Sequence, residues 1–333
     1  MNKNINKNIF IGNIIFELNY DNIEEVLEVN KLSNMILYIA NGHEFANLDC
    51  YLYTSEPRYK EYIQSDIKLL IKGKDEDRLL KLDHKYLFKL NELNLGFTAN
   101  VNKKDQGDVI SRVSLYFDYL KRMIDKKTFN YLTELIVQQR SLGLPNIEVS
   151  RIDEEEAREY IKDNNILKPI ILLNTDYEVD YINKLKVPKY IIDNCVLALK
   201  TRFEVIQVSR YKDKNRYIDR MIDVLDQSKL VKGLLNHMVG SISVDNYMAG
   251  IVSRFKKSKN VVIYTNRNNR MYGYLDNDNV NSKCNIGNQL KCNKPRTIKI
   301  NNKIYTESFE CKCNYSCLAI KESDILKKFG YSV

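Results

Sequence analysis

The stretch NIFIGNIIFEL, residues 8–18, sets six Ile and Phe residues into eleven positions. β-Branched and aromatic side chains at that density predict a strand, and one that opens an α/β layer. Working outward, NIEEVLEVNKLSN (22–34) spaces Ile23, Val26, Leu27 and Leu32 along one helical face. MILYIA (35–40) and LDCYLYTS (48–55) then read as strands, EPRYKEYIQ (56–64) as a helix, and DIKLLIKG (66–73) as a last strand. The predicted order over residues 8–75 is β-α-β-β-α-β.

That order, together with Ile9-Phe10-Ile11-Gly12-Asn13-Ile14, resembles the RNA-recognition motif. The resemblance implies a sheet that faces RNA, with Phe10 as the aromatic that stacks on a base. The family's second signature would fall on ANLDCYLY (46–53), which lacks the Lys/Arg-Gly start and the paired aromatics. The alternative for the same segment is a ferredoxin-like layer with no RNA on its sheet.

A chain of 333 residues has room for two or three cores. Hydrophobic residues make up 44% and charged residues 29%, the profile of a folded protein rather than a disordered one. Usage leans to Asn, Lys, Ile and Tyr, with 12 Gly, 5 Pro and no Trp, as AT-rich codons dictate. The first residues lack the apolar length of a secretory signal, and no segment approaches a membrane span of about 20 apolar residues. The expectation is an intracellular, cytoplasmic protein with reduced cysteines and no membrane partner.

Beyond Asp75 the periodicity turns helical, with Leu79, Leu82, Tyr86, Leu90 and Leu93 in step, then Val109, Val113, Tyr116, Leu120 and Ile124. EVSRIDEEEAREYIKD (148–163) predicts a helix whose Asp153, Glu154, Glu155 and Glu156 form a solvated first turn near the positive end of the dipole. PIILLNT (169–175) reads as a short buried strand, and YIIDNCVLALKTRFEVIQV (190–208) leaves helix and strand unresolved. RYIDRMIDVLDQ (216–227), KLVKGLLNHMVG (229–240) and SVDNYMAGIVSRFKK (243–257) read as helices, the last with Ser243 as N-cap. The fold class expected is α+β and multidomain: residues 1–75, a helical middle over 76–250, and a small β-rich domain over 251–333.

Charge is concentrated in that last part. The whole chain is +9, yet residues 251–333 hold sixteen Lys and Arg against six Asp and Glu, a net of +10. Codon bias raises lysine everywhere alike, so it does not explain the asymmetry, whereas a nucleic-acid partner does. VVIYT (261–265) and MYGYL (271–275), joined by the tip NRNNR, predict a hairpin. Tyr264, Tyr272 and Tyr274 would line a surface beside Arg267 and Arg270, with Arg254, Lys256, Lys257 and Lys259 at its entry. Aromatics interleaved with cations suit single-stranded RNA or DNA; the alternative is that the tyrosines form the core face of a small sheet.

Five of the seven cysteines, Cys284, Cys292, Cys311, Cys313 and Cys317, also fall there. Their spacing allows a structural zinc site built from four of them, or a set of small buried hydrophobes. The three histidines, His43, His84 and His237, have no metal-ligand spacing. No phosphate-binding glycine loop is present. One enzymatic pattern remains: Asp276 with Glu310-Cys311-Lys312 resembles the Asp…Glu-x-Lys set of restriction-endonuclease-like nucleases, which implies Mg²⁺ and hydrolysis. The sequence thus favours a non-enzymatic nucleic-acid-binding protein, with such a nuclease, or a viral or phage assembly protein with a protein partner, as alternatives.

Overall fold

The structure, a computed structural model, describes residues 12–18, 22–42, 48–82, 84–89, 97–98, 147–177, 186–211, 213–255, 257–265, 277–282, 293–300, 303–311 and 319–331. The chain divides into two units, Met1–Leu95 with Arg112–Ile147, and Gly96–Ser111 with Glu148–Val333.

In the first unit, β1 (Gly12–Glu17), α1 (Ile23–Gly42), β2 (Leu48–Thr54), β3 (Ile67–Ile71), α2 (Glu76–Lys81) and β4 (His84–Lys89) follow in order. The sheet runs β3-β2-β1-β4, and all three pairings are parallel. The expected order therefore changes in two places. MILYIA is not a strand but the continuation of α1, and His84–Lys89 is a strand inside the stretch expected to be one helix. An unbroken apolar run such as MILYIA carries no period and suits helix or strand alike. In the preceding part of α1 every residue from Val26 to Ser33 is buried, including Glu28, Asn30 and Lys31. Its polar members are paired, Lys31 Nζ with Glu28 Oε1 at 2.7 Å and Asn30 Nδ2 donating to the Tyr62 carbonyl at 2.7 Å.

The second unit opens with β5 (Phe97–Thr98), then α3 (Arg151–Asp163), β6 (Ile170–Asn174), α4 (Lys189–Lys200), β7 (Glu204–Ser209) and β8 (Arg220–Asp223). α5 (Ser228–His237), β9 (Met238–Val244), α6 (Tyr247–Val252), β10 (Lys259–Tyr264) and β11 (Asp278–Asn281) continue it, and β12 (Asn293–Ile300), β13 (Lys303–Cys311) and α7 (Glu322–Leu326) close it. The main sheet has the order β11-β10-β9-β6-β7-β8, every pair parallel. A separate antiparallel sheet, β13-β12-β5, joins Phe97–Thr98 to the hairpin of β12 and β13.

This main sheet explains both successes and failures of the sequence reading. PIILLNT is the buried central strand β6, all five of whose residues are buried. RYIDRMIDVLDQ, expected to be a helix, supplies β8. β9 and β10 are neighbours, so one sheet runs across the expected domain boundary near residue 250. Alternation along the strands sends Ile171, Leu173, Val205, Ile242, Val244, Val261 and Ile263 into one core with Ile191, Cys195 and Leu199 of α4. The observed class is mixed α/β built on parallel sheets.

Asp153, expected in a solvated turn, is 1% exposed. It closes a capping box with Ser150 and pairs with Lys232 Nζ at 3.3 Å. The approach of α3 to α5 is close enough that a Cβ on Gly233 would sit 2.0 Å from the Asp153 carbonyl oxygen.

Candidate functional site

Numbered along the chain, β6 to β11 are strands one to six, and their spatial order is 6-5-4-1-2-3. β7 and β8 are added to one side of β6, and β9, β10 and β11 to the other, so the strand order reverses between β6 and β9. In an open parallel sheet such a switch point leaves a crevice outside the carboxyl ends of the strands, where ligands bind.

The segments that leave β6, β7 and β9 at this edge are tied together by buried polar side chains. Asn174, the last residue of β6, donates through Nδ2 to the Val208 carbonyl at 2.6 Å and to the Tyr247 hydroxyl at 2.7 Å. The Tyr247 hydroxyl in turn donates to Asp176 Oδ2 at 2.6 Å, and the Arg210 amide reaches the same oxygen at 2.7 Å. Asp176 Oδ1 accepts from Ser209 Oγ at 2.6 Å. Asn246 Nδ2 donates to Asn174 Oδ1 and, at 2.7 Å, to the Asp176 carbonyl, while its Oδ1 caps α6 by accepting from the Met248 amide at 2.9 Å. Both Asp176 carboxylate oxygens are engaged by protein donors, so the group positions three segments rather than attacking a substrate.

What the edge offers a ligand surrounds this cluster. α4 begins here, and its N-cap, Pro188, has no side-chain acceptor with which to cap the first turn. Lys186 and Lys189 are exposed beside it, and Lys186 Nζ lies 6.0 Å from the centre of the Tyr177 ring. Tyr177 is itself fixed: its hydroxyl accepts from the Val187 amide at 2.6 Å, and burial pushes its phenol well above the usual range. Amide groups at a helix start together with ammonium groups favour an anion such as a phosphate. Among the described residues no group of three or more His, Cys, Asp or Glu could hold a metal ion.

The sequence-predicted site fares differently. Of the hairpin expected over residues 261–275, the first strand is β10, and it pairs in parallel with β9 on one side and β11 on the other, while residues 271–275 lie outside the described residues. Tyr264 is 0% exposed and packs with Ala249 and Val262. Lys259 starts β10, so Lys259 and its chain neighbour Lys257 belong to the amino edge of the sheet, opposite the crevice, and Arg254 is half-buried, with its pKa lowered by that burial. Phe10, Lys256, Arg267, Arg270, Tyr272, Tyr274, Asp276, Cys284, Cys292, Lys312, Cys313 and Cys317 lie outside the described residues. Glu310 and Cys311 stand on β13, opposite Lys294 and Asn293.

No family model matches the chain, and no curated protein matches it. Among solved structures it resembles the glycosyl transferase family 9 protein of Veillonella parvula DSM 2008, at 11% identity over 96% of both chains with a TM-score of 0.54. It also resembles the ADP-heptose LPS heptosyltransferase II of E. coli, at 10% identity over 95% of this chain and 97% of that one, with a TM-score of 0.58. The chain shares the fold of these glycosyltransferases. That fold, with both edges of β10 occupied and Tyr264 buried, overturns the reading of a nucleic-acid-binding or assembly protein, its nuclease alternative and its nucleic-acid partner. Asn174, Asp176, Ser209, Asn246 and Tyr247 escaped the sequence reading; the signal available was a polar residue directly after each buried apolar run, in LLNTD and VDNY.

Proposed function

We propose that this chain binds a nucleotide-activated sugar at the carboxyl edge of the second unit's main sheet and acts as a glycosyltransferase. The observation that carries the reading is the extent of the fold likeness, which takes in 95–96% of the chain and so both units, not one nucleotide-binding half. Fold alone does not fix function, so the local features matter. A switch-point crevice, a helix start whose N-cap is a proline and two exposed lysines agree with a donor whose diphosphate becomes the leaving group. In such a transfer an acceptor oxygen attacks the anomeric carbon and the nucleoside diphosphate departs with the bonding electrons. Cations and helix-terminal amides stabilise the charge that develops on it.

The test is a panel of UDP-, GDP-, ADP- and CDP-sugars and the matching diphosphates. The expected result is calorimetric binding of at least one diphosphate, weakened about tenfold in Lys186→Ala/Lys189→Ala by loss of two phosphate-directed charges. A chain that binds none of the panel is not a glycosyltransferase of this kind.

A further inference from the structure

In a doubly wound sheet the pyrophosphate lies at the start of the helix after strand one, and the nucleoside extends over the end of strand two. Here strand one is β6, its helix is α4, and strand two is β7, which ends at Ser209 and is followed by Arg210-Tyr211 and, two residues further on, by the exposed Asp213, whose carbonyl accepts from Gln207 Nε2 of β7 at 2.9 Å. The segment carries an aromatic ring: Tyr211 is 41% exposed, whereas Tyr177 behind β6 is half-buried and tied to the Val187 amide, and Tyr247 and Tyr264 are 1% and 0% exposed.

The backbone beneath that ring is held firmly. The Tyr211 amide donates to Ser209 Oγ at 3.0 Å, Ser209 Oγ donates to Asp176 Oδ1 at 2.6 Å, and the amide of Arg210 donates to Asp176 Oδ2 at 2.7 Å. Asp176 is fixed in turn by Tyr247. An aromatic side chain on an immobilised backbone loses little entropy when a flat partner lands on it. The buried cluster at the switch point thus has an outlet at the surface: it fixes the segment from which Tyr211 projects.

The geometry points to Tyr211 as the side chain that stacks on the nucleobase of the donor. This rests on the proposed function and adds to it the residue that holds the base. Stacking on a tyrosine is tolerant of base identity, since every base has a π-face, and is worth about 1–3 kcal/mol per base, roughly 5- to 150-fold in affinity.

The experiment measures binding of UDP, ADP, GDP, CDP and inorganic pyrophosphate by calorimetry to the wild type, Tyr211→Phe, Tyr211→Leu and Tyr211→Ala. Far-UV circular dichroism and urea midpoints check that each variant is folded. Stacking predicts that Phe keeps the nucleoside diphosphate affinity within about twofold, that Leu and Ala lose about tenfold or more, and that pyrophosphate binds all four alike. Equal nucleoside diphosphate affinity in wild type, Leu and Ala overturns the assignment while leaving the proposed function intact. A loss as large in Phe as in Ala overturns it too, because the hydroxyl and not the ring would then be responsible. A wild type that binds no nucleoside diphosphate overturns both readings together.

Discussion

Replacing Tyr247 by Phe removes one oxygen, and that oxygen serves two neighbours at once: it donates to Asp176 and accepts from Asn174. Both partners are buried, so neither can turn to water, and leaving a buried polar group unmet costs about 1–3 kcal/mol. Tyr247→Phe is expected to lose about 2–3 kcal/mol in urea unfolding. Asp176→Asn should cost a similar amount, and the double variant less than the sum, because the two share one hydrogen bond. The same scale holds a pH dependence. Burial pushes the thiols of Cys50 and Cys195 above the usual thiol range, up to about 12 each. A folded-state pKa above the unfolded one stabilises fully below about pH 9 and is lost as pH rises toward 12. Urea midpoints should therefore fall through that window, and site-resolved alkylation at pH 8.5 should leave Cys50 and Cys195 unlabelled until the chain unfolds. Their seclusion was legible in the sequence, since both lie alone in apolar runs. The roles of Asn174 and Asp176 were not, because a buried polar residue and a surface one look alike until the strand beside them is placed.

At the scale of elements, α3 and α5 meet through Gly233, where a Cβ would stand 2.0 Å from the Asp153 carbonyl oxygen and 2.8 Å from Ala157 Cβ. Helix propensity alone says that Gly233→Ala gains about 1 kcal/mol. Backbone cannot retreat as a side-chain tip can, so overpacking of about 1–3 kcal/mol prevails and the variant should unfold at lower urea. A net gain in stability would show that the two helices can part freely. α3 and α5 were legible as helices although they differ in burial, α3 being largely exposed and residues 230–235 of α5 all buried. Of α1 the periodicity showed residues 22–34 but not the continuation through 35–40, an unbroken apolar run that suits helix or strand alike, and the short strand β8 sits in a segment whose apolar spacing mimics a helix. Strands covered on both faces read as plain apolar runs, as in β6, which is why that element was found while its position at the centre of the sheet was not.

Topology is the level least written in the sequence. Two short apolar runs with a polar link between them read equally well as a hairpin or as neighbouring parallel strands. The decision belongs to residues far away, here β9, which lies beside β10 and supplies it with a partner. The local net charge of +10 is real, but this pairing sends Tyr264 into a core and Lys259 to the edge away from the crevice. The last described segment, residues 319–331, shows the same long-range logic. Ile320, Ile325, Leu326 and Phe329 enter the core of the second unit's main sheet. The Phe329 ring lies close above Gly240 and edge-on to Phe203, and the Tyr331 hydroxyl donates to the Ala198 carbonyl at 2.9 Å. The sheet's core is therefore completed by residues more than a hundred positions from β6. Phe329→Ala should cost about 3–5 kcal/mol, as large-to-small changes in a packed core do. Lys328→Ala, one position away, should cost under about 1 kcal/mol, because its 2.9 Å pair with Asp278 is exposed. If instead both variants unfold at the urea midpoint of the wild type, this segment is an appendage and the core of the sheet is complete without it.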